Sequence, residues 1–226
     1  MESTTPQPQN AGTEGKKPQR GTSGCLVACV VAFGFVVVFG CCLGPIGSGG
    51  HGHQSAYVQA SHAIGLAMYS YANDHNQLYP DGTSSTEVFQ QLLDGGYVTD
   101  PSIFYAPMDG KTPLTDTHKK LKPENVCWDV TGGVSGADAG QLPLVFLTGY
   151  RFAYAPGGGF TPLTPFPRYQ HLTRDSGEAT FFVNNSCAWM VGPSQGSIYS
   201  LEHVLPADFN AHGKTYRQLT PEGVLK

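Results

Sequence analysis

The stretch SAYVQASHAIGLAMYSYANDHNQLYPDGTSSTEVFQQLLDGG, residues 55–96, decides how the chain is to be folded. Tyr57, Ala60, Ile64, Met68 and Tyr71 recur at three- and four-residue intervals, which lines them up on one side of a helix and predicts one over about 55–75. Pro80-Asp81-Gly82 then forces a turn. Ser84 and Glu87 stand at capping-box spacing. They predict a second helix that starts at Ser84, buries Val88, Phe89, Leu92 and Leu93, and stops at Gly95-Gly96.

Beyond that point the pattern changes to short apolar or aromatic runs separated by glycine and proline, at 103–105, 144–147, 150–154, 180–183, 188–191 and 197–201. Such runs predict strands of a mainly antiparallel sheet. A helix packed on that sheet makes the domain α+β. Composition agrees: 40% of the 226 residues are hydrophobic, enough for one folded core, whereas 29 glycines, 17 prolines and only 13% charged residues favour short elements over long soluble helices.

Upstream, residues 26–43 are all Leu, Val, Ala, Cys, Phe or Gly, and Cys25 and Gly44 extend the run. At about 1.5 Å per residue the run 25–44 measures roughly 30 Å as a helix, the thickness of a bilayer's hydrocarbon core, and it predicts one transmembrane helix in contact with lipid. Lys16, Lys17 and Arg20 precede it and no charged residue follows until Asp74, so the N-terminus is expected in the cytoplasm and the domain outside. Two other readings stay open: a cleaved signal ending near Gly47-Ser48-Gly49, and a lipid-anchored Cys41, although Phe39 stands where a small residue is wanted. The expected organisation is a disordered tail at 1–24, a glycine-rich linker at 45–54 and an exposed domain at 55–226. A net charge of −4 argues against nucleic acid as a partner.

The segments AYVQASHAIGLAMYSYANDHNQLYPDG and VFQQLLDGGYVTDPSIFYAPMDG resemble the post-membrane region of type II secretion pseudopilin-like proteins, the G-type prepilin-like family of bacteria. The family's aromatic-Ala-x-Asp helix end falls on Tyr71, Ala72 and Asp74, its tyrosine-proline turn on Tyr79 and Pro80, and its Gly-Tyr-aliphatic stretch on Gly96, Tyr97 and Val98. The resemblance covers about residues 55–110. It implies a long N-terminal helix on an antiparallel sheet and a domain displayed in the periplasm from the inner membrane. It also implies a non-enzymatic structural or interaction role, without cofactor, as an accessory to type II secretion or a pilus-like apparatus. Contacts with secretion or pilus-like proteins would use the helix face of Tyr57, Ile64, Met68 and Tyr71. Processed family members carry Gly before an aromatic residue and a Glu five places on; here Gly24 precedes Cys25 and that Glu position holds Cys29. Pro45 and its neighbouring glycines also interrupt the helix, and Ala106 stands where many relatives have Cys. These departures imply a permanent anchor and not a fibre subunit.

Candidate chemistry elsewhere is sparse. Cys25, Cys29, Cys41 and Cys42 belong to the apolar run, where thiols act as small hydrophobes and palmitoylation is the rarer use. Cys127 and Cys187 are left in the exposed domain, where oxidation is permitted, and are expected to form a disulfide; two separately buried thiols are the alternative. His51 and His53, with His62 and His75, offer imidazoles, but His51 and His53 occupy a glycine linker and lack a carboxylate partner fixed by sequence, so no metal site is assigned. Asp74, Asp81 and Asp109 read as turn residues, and no acidic loop near Asp208 matches the family's calcium loop. Gly157-Gly158-Gly159 lacks the Gly-Lys-Ser/Thr ending of a phosphate loop, and Ser194 does not sit in a nucleophile elbow. The aromatics Tyr150, Phe152, Tyr154, Phe160, Phe166 and Tyr169, with Arg151 and Arg168, suggest a second function, a membrane-tethered module for carbohydrate or peptide, against the plainer reading of sheet packing. A periplasmic enzyme has least support, because no acid, base and nucleophile set stands out.

Overall fold

A computed structural model describes residues 51–116, 119–174, 176–192 and 200–226. The first helix, α1, spans His51–Asp74, and so begins four residues before the expected Ser55. It ends where Asn76 and Gln77 both take positive φ and the Gln77 N–H returns to the Ala72 carbonyl at 2.8 Å. Its inner face carries Tyr57, Ser61, Ile64, Ala67, Met68 and Ala72, all buried. The second helix, α2, spans Ser85–Asp94 with Ser84 as N-cap, its side chain accepting from the Glu87 N–H at 3.2 Å. The reciprocal half of the box goes to Thr83 instead of Ser84: the Glu87 carboxylate accepts from the Thr83 N–H at 2.7 Å and the Thr83 hydroxyl at 2.8 Å. Val88, Phe89 and Leu92 are buried as the sequence pattern requires, while Leu93 is partly exposed.

The strands β1 (Trp128–Gly132), β2 (Pro143–Leu147), β5 (Glu178–Phe182), β6 (Cys187–Met190), β7 (Arg217–Thr220) and β8 (Gly223–Val224) form one sheet in the order β6-β5-β2-β1-β7-β8. Every pairing in it is antiparallel. A separate hairpin joins β3 (Tyr150–Phe152) to β4 (Phe160–Pro162). The sheet is covered on both faces. On one, α1 lies over β5, with Gly65 against the Phe181 ring. On the other, Phe146 of β2 meets Phe152 and Phe160 of the hairpin. β1, β2 and β5 are therefore buried along their whole length.

Two expectations need correction. The fold with one transmembrane helix is not what the structure shows: it is α+β, and among the described residues no helix is long and apolar enough to cross a membrane. α1 interrupts its apolar face with the buried Ser61 beside the half-buried His62 and buries that face on the sheet, so protein, not lipid, covers it. The run 25–44, with the tail 1–24, the cysteines in the run and most of the 45–54 linker, lies outside the described residues. Second, the apolar 103–105 is no strand, because Pro101 and the Asp100 side chain, which accepts from the Ser102 N–H at 2.9 Å, set a short 3-10 turn, Pro101–Phe104. The run 197–201 lies outside the described residues except for Ser200 and Leu201, and Ser200 makes a parallel bridge to Val191.

Candidate functional site

The expected disulfide is absent. Cys127 and Cys187 are both free thiols. Cys127 immediately precedes β1 and Cys187 opens β6, three strands away across the sheet, or roughly 14 Å at strand spacing, whereas a disulfide needs Cα atoms within about 7 Å. Cys127 is buried, its thiol donates to the Ala106 carbonyl at 3.2 Å, and burial pushes its pKa up to about 11. Burial also raises that of the half-buried Cys187.

The helix face named for partners is inward. Ile64 and Met68 are 0% exposed, Tyr57 is buried and Tyr71 is half-buried, so this face is spent on the protein's own sheet. What α1 offers to solvent is the opposite stripe, Ala63, Leu66, Tyr69 and Ser70, with Leu66 39% and Tyr69 40% exposed. No charged side chain interrupts the helix before Asp74. At its end the Tyr71 and His75 rings stack at 3.8 Å, and the Tyr97 hydroxyl donates to Asp74 at 2.8 Å.

The aromatic half is likewise internal. Tyr150, Phe152, Phe160 and Tyr169 are buried, with the Tyr150 hydroxyl donating to the Gly177 carbonyl at 2.9 Å and the Tyr169 hydroxyl to the Thr148 carbonyl at 2.8 Å. Tyr154 shares a hydrogen bond with Thr131 at 2.9 Å, and Phe166 is half-buried against Tyr150. Arg151 is drawn to the Lys226 carbonyl at 2.7 Å. These rings join hairpin to sheet.

Beneath the hairpin lies a polar layer that the sequence did not announce. Asp129 and Glu178 are completely buried. The Gln218 amide donates to Asp129 at 2.7 Å and to the Tyr150 carbonyl at 2.6 Å, and its oxygen accepts from the Phe152 N–H at 2.9 Å. Glu178 accepts from the Leu147 N–H, while its Oε2 and the Thr180 hydroxyl have no partner. Burial pushes Asp129 up to about 7 and Glu178 well above the usual carboxylate range. Both sit under protein and line neither cleft described below; Asp129 with Gln218 fastens β1 and β7 to β3, and Glu178 fastens β5 to the end of β2.

Among the described residues no group of three His, Cys, Asp or Glu side chains converges as metal ligands. The His53 ring stacks on His171 at 3.6 Å, and His62 lies by Phe181.

At one end of the sheet β6 is the outermost strand, and just beyond it the Val191 carbonyl accepts from the Leu201 N–H at 2.9 Å. The Phe182 N–H donates to the Ser186 carbonyl at 2.9 Å, and pairing continues through Phe181 with Cys187, Thr180 with Ala188 and Ala179 with Trp189. Antiparallel alternation makes the Ala188 pair the bonded one, so the N–H and C=O of Cys187 and Trp189 turn away from β5. A cleft flanks this edge on each face of the sheet. On the hairpin side, one of about 500 Å³ has Phe182, Met190 and Val204 with Asn184, Ser200 and Glu202. On the helix side, one of about 380 Å³ lies between Trp189 and Gln54, Val58 and Gln59 of α1. The strand itself was legible as an apolar run after the Asn184-Asn185 turn; its edge position was not, because sheet order depends on distant β1, β2 and β7.

Comparison of the chain with protein-family models, with curated proteins and with solved structures finds no match.

Proposed function

We propose that this chain is a non-enzymatic interaction protein of the bacterial inner membrane, with a pseudopilin-like domain on the periplasmic side, accessory to type II secretion or a related pilus-like apparatus. The observation that carries this reading is the outer stripe of α1, uncharged over its length and presenting Leu66 and Tyr69 to solvent. An uncharged, partly apolar helix face is a surface that a second protein covers at little desolvation cost. The helix-on-antiparallel-sheet architecture and the motif around Tyr71, Tyr79 and Tyr97 support the family side of the proposal. Contact passes to the outer stripe because the inner face is occupied by β5.

The test is affinity purification of the full-length protein from its bacterial membranes, with quantification of secretion components. The expected result is their recovery with the wild type and their loss with a Leu66→Glu, Tyr69→Glu variant that keeps the wild-type melting temperature. Equal recovery of the same components with both proteins would remove α1 from the interface.

A further inference from the structure

We infer that Gln218 and Asp129 form a proton-operated latch beneath β3: while Asp129 is neutral, Gln218 holds β3 on the sheet, and when Asp129 ionises, β3 is released and water reaches the carboxylate. The latch is internal to the domain and independent of the secretion assignment and of the α1 stripe.

The nitrogen and the oxygen of the Gln218 amide are both committed. The nitrogen donates to the Asp129 carboxyl at 2.7 Å and to the Tyr150 carbonyl at 2.6 Å, and the oxygen accepts from the Phe152 N–H at 2.9 Å. The two bonds to β3 fix which way round the amide sits, so it has no donor left for the second oxygen of Asp129, which is buried without a partner. A neutral carboxyl tolerates that position. A carboxylate does not, because an unhydrated charge is far more costly to bury than a neutral polar group. Two remedies exist, rotation of the Gln218 amide toward the carboxylate and entry of water beside it, and both cost the bonds to β3. That strand is a thin cover, three residues whose strand partner is β4 and not the main sheet.

Among the described residues no cation pairs with Asp129. Glu178 of β5 adds a like charge when ionised, and the Thr148 hydroxyl, just past β2, lies beside the carboxyl. Tyr154 and Tyr169 face it with hydroxyls that burial keeps protonated. Lys111 and Glu222 act from farther away and are paired with each other at 3.0 Å. Arg151 of β3 turns to the Lys226 carbonyl, and Arg217 of β7 to Asp81. In the closed latch burial therefore holds the carboxyl up at about 7, whereas opening to water returns it to about 4. The closed form is favoured in full below about pH 4, and that preference is lost as pH rises toward 7.

The experiment is hydrogen exchange at single-amide resolution on the full-length protein at pH 5, 6 and 7, with and without dilute urea, corrected for the intrinsic pH dependence of exchange. The Phe152 amide reports the latch, and the amides of β2, a strand buried along its whole length, report global unfolding. Phe152 is expected to open more often than β2. Its opening constant should rise by up to about tenfold per pH unit and be unchanged by dilute urea, since little surface is exposed. Asp129→Asn, a neutral isostere, should make the opening independent of pH. Exchange of Phe152 only together with β2, an opening constant flat from pH 5 to 7 in the wild type, or the same rise in Asp129→Asn would each overturn the inference; the first two are read on the wild type alone.

Discussion

Gly65 of α1 rests directly on the ring of Phe181 in β5, so closely that a Cβ on Gly65 would overlap the ring carbons. With the small Ser61 one turn earlier, whose hydroxyl returns to the Val58 carbonyl at 2.8 Å, this lets the helix backbone approach the sheet. A glycine in mid-helix costs about 1 kcal/mol of helix propensity, so its presence needs a packing reason, and Phe181 is that reason.

Gly65→Ala should therefore destabilise the domain, by about 1 to 3 kcal/mol, although alanine is the better helix former. Urea unfolding checks it. A rise in stability would show that helix and sheet are not held at this distance. Ile64→Ala, one residue away and fully buried, should cost about 2 to 5 kcal/mol by cavity formation.

Asp129 makes stability depend on pH in an unusual direction. Its folded-state pKa of about 7 lies above the ordinary value, so the native state holds a proton that the unfolded chain releases. Its contribution is then fully present below about pH 4 and is lost as pH rises toward 7, by up to about 4 kcal/mol for a shift of this size. Glu178, raised in the same way, acts with the same sign. Unfolding midpoints at pH 4.5, 6 and 7.5 should fall with pH in the wild type and fall less in Asp129→Asn. Parallel profiles would mean that the carboxyl is ionised in the folded state.

The two domain thiols should behave differently. Native alkylation followed by peptide mass mapping should label Cys187 before Cys127, which is sealed by burial and bonded to the Ala106 carbonyl. After denaturation without reductant both should label. Recovery of a peptide linking Cys127 to Cys187 would contradict the strand order.

Much of the helical part was legible because its signals are local. Ser84 and Glu87 mark α2, and the three- and four-residue spacing from Tyr57 to Tyr71 marks α1. The same spacing did not reveal what the face meets: Ile64 and Met68 are fully buried, Tyr57 packs on Tyr169, and Tyr71 packs on Tyr97. β1 and β7 escaped notice because WDVTG and RQLT carry Asp129, Thr131 and Gln218 in buried positions, where each side chain is held by a partner elsewhere in the chain. Alternation of apolar and polar residues marks a half-exposed strand, and these strands are covered on both faces. The disulfide expectation failed for a related reason: two cysteines in one domain say nothing about strand order, and β5 and β2 lie between them.

The central claim, that α1 meets a secretion protein through its outer stripe, is tested most directly by placing a photo-crosslinking residue at Tyr69 and, as an internal control, at the buried Met68, in cells that assemble the apparatus. The account predicts a specific adduct with a pseudopilin or another secretion component from position 69 and none from position 68. Adducts from position 69 to lipid alone, or no adduct while the protein is folded and abundant, would contradict it.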